Sequence, residues 1–421
     1  MGAGPQAVKC CLARGAPGAA VCLRAGRVLW FPRRVRVIGL MSGTSADGVD
    51  AALVEWPDGP ETHPFRLVAH VHEAFAPELQ DRIHALAAGR VPGAQALREL
   101  ATLDVLLGER FAEAALAVAG AAGLAPAAID AIASHGQTVA HHPEARATLQ
   151  IGDPSVIAER TGLPTVADFR PRDLAAGGEG APLAPFFHLA AFGDPRESRL
   201  VLNLGGIANV TWLPRGGDPD AVVAFDVGPA NSLLDGVVRA QTGGRERMDR
   251  DGARARRGRV DATLLARLLD DAFLRRPPPK STGRERYGLA EAEALAREWQ
   301  SQGRDPDALV ATLVEFTSRA VSMAYEDFLE RSSKLDRLLV GGGGARNPAV
   351  LDALRRDLPG VPVETFEAAG VPSDAAEAMA FSLLGRNALL GIPNHLPRCT
   401  GAARAAVLGE IVPGSSGRIR R

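Results

Sequence analysis

Polar and apolar residues alternate along Arg34-Val-Arg-Val-Ile-Gly-Leu40, the two-residue period of a half-buried β-strand. A turn-rich stretch, Met41-Ser-Gly-Thr-Ser-Ala-Asp-Gly48, separates it from a second strand-like run at 49–56, and 66–75 reads as a third. The three predict a meander. Apolar positions then recur at helical spacing over about 77–88 and 93–122. A short apolar strand at 129–133 follows and is expected to end in Ser134-His-Gly-Gln-Thr138.

The same grammar returns further on. Residues 199–204 are strand-like, Gly205-Gly206 makes a turn, and 207–213 returns as a strand. Another strand at 221–225 runs into Asp226-Val-Gly-Pro-Ala-Asn231 and a helix. Near the end, 335–340 leads into Gly341-Gly-Gly-Gly344 and a helix after Pro348. Two segments that each open with strand, Gly-rich turn and strand suggest an internal duplication. The fold class expected is mixed α/β with two lobes, and the cleft between them is the natural ligand site. Lobe I is expected at 35–175, completed by 375–413, with lobe II at 176–374 and a tail at 414–421.

Composition agrees and narrows the function. A chain of 421 residues is long for one core and suits two lobes. A formal net charge of −1 offers no broad basic field, so neither nucleic acid nor an anionic membrane is expected as a partner. No apolar run reaches the roughly 20 residues of a membrane-spanning helix. Cys10, Cys11, Cys22 and Cys399 have neither zinc-site nor disulfide-framework spacing, so a cytoplasmic protein without thiol catalysis is expected. Residues 1–34 contain no Asp or Glu, and Arg24 and Arg27 interrupt their only apolar run. That fits a secretory signal poorly; a disordered extension or a start codon placed too early is expected, with a transit-like segment as the alternative.

Several loops carry candidate chemistry. Residues 41–48 offer closely spaced N–H groups that can cradle a phosphate, and Asp47 is placed to hold a hydrated Mg²⁺. The plainer alternative is a hairpin loop of ordinary turn residues. Asn203-Leu-Gly-Gly-Ile-Ala-Asn209 and Gly341-Gly-Gly-Gly-Ala-Arg-Asn347 also permit close backbone approach to a nucleotide, or are simply tight turns. No dinucleotide fingerprint and no P-loop occur, although Lys280-Ser-Thr-Gly-Arg-Glu-Arg286 resembles the end of one. Asp226, at a strand end beside a glycine loop, suits a general base or an N-cap. Glu377 opens an apolar helix, where an acidic residue favours the first turn or reaches a sugar hydroxyl. Arg172, in an Arg/Asp-rich loop before Gly177-Gly-Glu-Gly180, can meet a substrate carboxylate or solvent. His135 and Gln137 are candidate hydrogen-bonding groups.

Together these segments, from Ile38-Gly-Leu-Met-Ser-Gly-Thr-Ser-Ala-Asp-Gly-Val-Asp50 through Ser134–Thr138, Gln150-Ile-Gly-Asp-Pro154, Asp168-Phe-Arg170, Phe225–Asn231, Met248-Asp-Arg-Asp-Gly252, Pro279–Arg286 and Glu377-Ala-Met-Ala-Phe381, resemble the anhydro-N-acetylmuramic acid kinase family. The resemblance covers nearly all of 35–413. It implies a two-lobed actin/hexokinase-like, ribonuclease H-like ATPase fold with an interlobe cleft. It also implies ATP with Mg²⁺ and an anhydro-sugar substrate, opened hydrolytically and phosphorylated on O6. In that reading Asp226 is the general base. Ser42, Gly43, Thr44, Asp47, Asn203, Gly205 and Gly206 lie on the phosphate side. Gly341, Gly342, Gly343, Gly344 and Asn347 form the nucleotide loop, and Arg172, Glu179 and Glu377, with His135 and Gln137, face the sugar. Homodimers are common in the family.

Two positions depart from the family pattern. Glu179 stands where the family usually has Gln, and an ionised carboxylate there cannot donate hydrogen bonds and repels a lactyl carboxylate. Ala46 replaces a commoner Leu, a packing change. Glu179 keeps another 1,6-anhydro sugar, such as levoglucosan, as an alternative substrate. A catalytically silent sugar or nucleotide sensor on the same fold is the alternative from a different class.

Overall fold

The alternation at residue 34 produces a strand, β3 (Arg34–Ser42), of a computed structural model that describes residues 21–24, 27–30, 34–330 and 334–415. Before it, β1 (Val21–Arg24) and β2 (Arg27–Trp30) pair antiparallel with each other and join neither main sheet. The rest of the extension expected at 1–34 lies outside the described residues, as does the tail from 416.

The first sheet grows from the meander β3 (Arg34–Ser42), β4 (Gly48–Pro57) and β5 (Arg66–Ala74). Beside β3, β6 (Ala131–His142) runs parallel, followed by β8 (Thr165–Ala167), while β7 (Ala147–Ile151) pairs with the far half of β6. The strand expected to stop at 133 therefore continues. Residues 134–138 are sheet rather than a terminal turn, because β7 supplies the missing partner and the register shifts within each pairing.

The second sheet repeats the plan. Strands β9 (Arg199–Leu204), β10 (Ile207–Leu213) and β11 (Val223–Pro229) form its meander. Then β12 (Arg337–Gly341) runs parallel to β9, and β13 (Val363–Thr365) parallel to β12. The orders β5-β4-β3-β6-β8 and β11-β10-β9-β12-β13 are the same path traced twice, as the sequence-level duplication suggested. The short strand β14 (Glu410–Val412) returns to pair with β8, so the C-terminal segment completes the first sheet.

Helices cover the sheets and join them. In Gly93–Ala121, Leu103, Leu107, Phe111, Ala114, Ala115 and Val118 recur at three- and four-residue spacing and are buried against the first meander. Ala376–Leu390 is apolar nearly all round and packs on β3, β4 and β6. It lies so close that a Cβ at Gly39 would overlap the Ala378 carbonyl oxygen, so only glycine fits there. Trp56 Nε1 donates to Ser382 Oγ at 2.9 Å, and that hydroxyl donates to the Val37 carbonyl at 2.9 Å. One apolar cluster draws on both sheets, joining Val54 and Trp56 to Val201 and Leu339 through Phe187, Phe192, Met379 and Leu383. The lobes therefore share a floor, and the cleft opens above it.

Candidate active site

A cavity of about 840 Å³ is lined from both sheets, by Met41 and Asp50 on one side and Asn203, Asn209 and Asp226 on the other. Asp226 sits on β11 opposite Asn209, where the register of β10 shifts. Its Oδ2 accepts from Ser281 Oγ at 3.0 Å and from the Thr282 N–H at 2.9 Å. Its own N–H donates to the Lys280 carbonyl at 3.1 Å. Asp226 is thus a strand residue held by the 280–282 segment, and the N-cap alternative does not apply.

The two glycine loops lie side by side because β9 and β12 are parallel neighbours, with Gly341 opposite Asn203. Gly342 has φ +77°, and a Cβ there would come within 2.5 Å of Asn203 Oδ1, so glycine is required on both counts. A Cβ at Gly344 would crowd Leu204 at 2.6 Å. Gly205, Gly342 and Gly343 line the cavity; Gly206, Gly341 and Gly344 do not. The Gly205 carbonyl accepts from the Asn231 N–H, and the Gly206 carbonyl from those of Ala230 and Ser232. The N-terminus of the helix Asn231–Gln241 is therefore spent on the loop. Asn347 Oδ1 accepts from the Ala349 N–H at 3.0 Å, an N-cap of the helix Pro348–Asp357, and does not line the cavity.

Residues 42–48 are a closed turn. The single Ser42 hydroxyl proton serves the Gly48 carbonyl and Gln137 Oε1, both at 2.7 Å, and Gln137 Nε2 donates to the Gly43 carbonyl at 3.1 Å. Both side chains are buried and tie the loop to β6. The Gly43 carbonyl also accepts from the Ala46 N–H at 3.0 Å, and Thr44 is exposed, but neither residue nor Asp47 lines the cavity. Asp47 is exposed and accepts from Ser45 Oγ at 2.7 Å. Asp50 is the carboxylate of this region that faces the cavity. Burial raises its pKa, opposed by His72, whose Nδ1 lies 2.8 Å away. Ala46 is buried with φ +50°, an uncommon backbone for an alanine.

In the segment expected to face the sugar, residues 169–175 are a helix rather than the expected loop, which separates two arginines. Arg170 lines the cavity, while Arg172, about 200° further round, is exposed and does not. Arg170 Nε donates to His135 Nε2 at 3.0 Å and its Nη1 to the Gly180 carbonyl at 3.0 Å. His135 must then carry its proton on Nδ1, which meets the Gly136 carbonyl at 2.9 Å. Burial, and then the Arg170 charge, hold the His135 pKa well below the usual range, so the ring is neutral. His135 is therefore a support for Arg170. Burial brings the Arg170 pKa down to about 10, with the guanidinium still charged at neutral pH. Glu377 is wetted by the cavity yet deep within the protein. Burial, then Asp50, raise its pKa, and Arg170 opposes them. Glu179 also lines the cavity, with its N–H on the Thr400 carbonyl at 2.7 Å.

Among the described residues no cluster of three or more His, Cys, Asp or Glu is gathered around a metal position. Asp50 and Asp226 are separate hard carboxylates on the cavity wall, a sparse set that fits magnesium held mainly by water and phosphate. Cys399 lines the cavity, but burial pushes its thiol up to about 12, which leaves no thiolate for catalysis. Lys280, Asp50 and Arg170 were not singled out from sequence, although each lies inside a quoted motif. Spacing could have found Arg170 only once 169–175 was known to be helical.

The family profile described as anhydro-N-acetylmuramic acid kinase matches residues 35–414. A protein of that name from Xanthomonas campestris is 47% identical over 381 residues, 89% of this chain and 97% of its own length. Those from Caldanaerobacter subterraneus and Streptomyces coelicolor are 43% and 44% identical, over 89% and 90% of this chain and 96% and 94% of their own. With a family profile matched over residues 35–414 and relatives 43–47% identical over about nine-tenths of the chain, both lobes included, the chain belongs to the anhydro-N-acetylmuramic acid kinase family.

Proposed function

We propose that this enzyme uses ATP and water to convert 1,6-anhydro-N-acetylmuramic acid to N-acetylmuramic acid 6-phosphate, a step of cell-wall recycling in the cytoplasm. The observation that carries the mechanism is Asp226, fixed on the cavity wall by two donors to one oxygen. Held in this way, its carboxylate accepts a proton from the water that attacks the anomeric carbon. The bond from that carbon to O6 breaks, and O6 attacks the γ-phosphorus as ADP leaves. Open backbone at Gly205 and Gly343 suits the phosphates. Magnesium, when bound, neutralises phosphate charge, with Asp50 and Asp226 as the wall carboxylates that would hold it, mainly through water. Arg170 meets the lactyl carboxylate, offsetting the repulsion from Glu179, and Glu377 accepts from sugar hydroxyls. A homodimer is the assembly this reading carries with it.

The test is ADP release with the anhydro sugar, with the product read by mass in heavy-oxygen water. One heavy oxygen is expected at the anomeric hydroxyl, and Asp226→Asn is expected to lose at least about 100-fold in kcat. Wild-type turnover by that variant would end the proposal. Glu179 supports a second reading, a kinase for an uncharged 1,6-anhydro sugar. A higher kcat/KM for levoglucosan would establish it in place of the first.

A further inference from the structure

The motif Pro279–Arg286 lies beside Asp226 and includes Lys280, whose ammonium is enclosed. It is 5% exposed and donates to the Phe273 and Leu274 carbonyls at 3.2 and 2.8 Å. The rings of Phe225, Phe273 and Phe328 surround it, with centroids at 5.6, 4.9 and 5.0 Å. Three π faces and two carbonyl oxygens form a cage suited to a compact cation. Phe225 is the residue before Asp226, and Ser281 and Thr282, which hold the Asp226 carboxylate, directly follow Lys280. The far end of the segment is fastened too, by Tyr287 Oη and the Arg286 guanidinium on Asp271. The segment is therefore pinned at both ends to residues 271–274; each pin carries a charge, and that of Lys280 is the enclosed one.

We propose that Lys280 is a positioning residue for the ring-opening step: its caged ammonium locks the 280–282 segment so that Ser281 and Thr282 hold the Asp226 carboxylate in register with the sugar. This rests on the reading of Asp226 as the base. The charge is conditional. Burial lowers the Lys280 pKa to about 8, against the pull of Asp327 and Asp226, while Arg276 lowers it further and Asp271 raises it. The ammonium is present below that pH and lost above it, so the lock weakens on the alkaline side.

The experiment measures kcat and both KM values from pH 6 to 10 for the wild type, Lys280→Met, Ser281→Ala and the double variant, with Asp226→Asn alongside. The wild type is expected to lose kcat above about pH 8. Methionine keeps the bulk without the charge, and a base displaced by about 1 Å costs on the order of 100-fold. Lys280→Met is therefore expected to lose roughly 10- to 100-fold in kcat, keep its KM for ATP within about threefold, and lack the alkaline limb. The two losses are expected to be non-additive, because Lys280 acts through Ser281. An unchanged kcat, or an alkaline limb kept by Lys280→Met, overturns the proposal. Should that variant fail to bind ATP calorimetrically, a wild-type profile flat through pH 8 overturns it instead. An inactive Asp226→Asn beside a normal Lys280→Met rejects the lock alone; an active Asp226→Asn rejects the base.

Discussion

Arg170 and Arg172 show how one turn of helix assigns roles to two identical side chains. Arg170 faces the cavity and is braced by His135 and the Gly180 carbonyl, while Arg172 faces solvent. Arg170→Met is expected to raise KM for the anhydromuramic sugar and lower kcat/KM by about 10- to 100-fold, the worth of a charge-assisted contact. Arg172→Gln is expected to stay within about twofold. Equal losses with levoglucosan, which lacks the carboxylate, would remove Arg170 from that role. Glu377 carries a pH signature. Its folded pKa lies above the ordinary glutamate value through burial and then Asp50, so between the two values the folded state holds more protons than the unfolded. Its contribution is complete below the ordinary pKa and is lost as pH rises through the raised one. Glu377→Gln is therefore expected to raise Tm at pH 7 while lowering kcat/KM, measured by calorimetry and rates on one preparation. A lowered Tm would contradict the sign.

At the scale of elements, glycine sets how closely the parts approach. The helix Ala376–Leu390 rests on bare backbone at Gly39 and on Ala133 at Gly385, which places Glu377 over the cavity. Gly39→Ala is expected to destabilise by about 1–3 kcal/mol, as overpacking does, and to lower kcat as well. An unchanged urea midpoint would show that the helix is free to shift. The meanders and long helices were legible in sequence because their periodicity is local. The extension of β6 to His142 was not, since it depends on β7 as a partner. Nor could spacing show that Ser42 and Gln137 bond each other across 95 positions, or that Asn347 caps a helix. Glu377, Gly205 and Gly343 could be singled out because each stands at or next to the end of an element, whereas Asp226 lies within β11 and Glu179 in a loop; all five line the cavity.

The whole molecule is two copies of one sheet plan bound by a common apolar cluster. Each lobe has an apolar core of its own, but Trp56, Val201 and Leu339 share a further cluster through two helices, so separating the lobes would expose it on both. Calorimetry is expected to show one unfolding transition without ligand, and two well-separated transitions would contradict the shared floor. The chain also has an unusual balance of cations, with Lys only at positions 9, 280 and 334 among 48 basic residues. Amine-selective acylation therefore has few targets, and of the two lysines among the described residues Lys280 is the one sealed within a cage. Its lowered pKa makes the free amine plentiful at pH 8, so enclosure rather than protonation limits its labelling. The rate of acylation at this one nitrogen becomes a clock for the opening of the segment that grips the base, readable in the unmodified sequence.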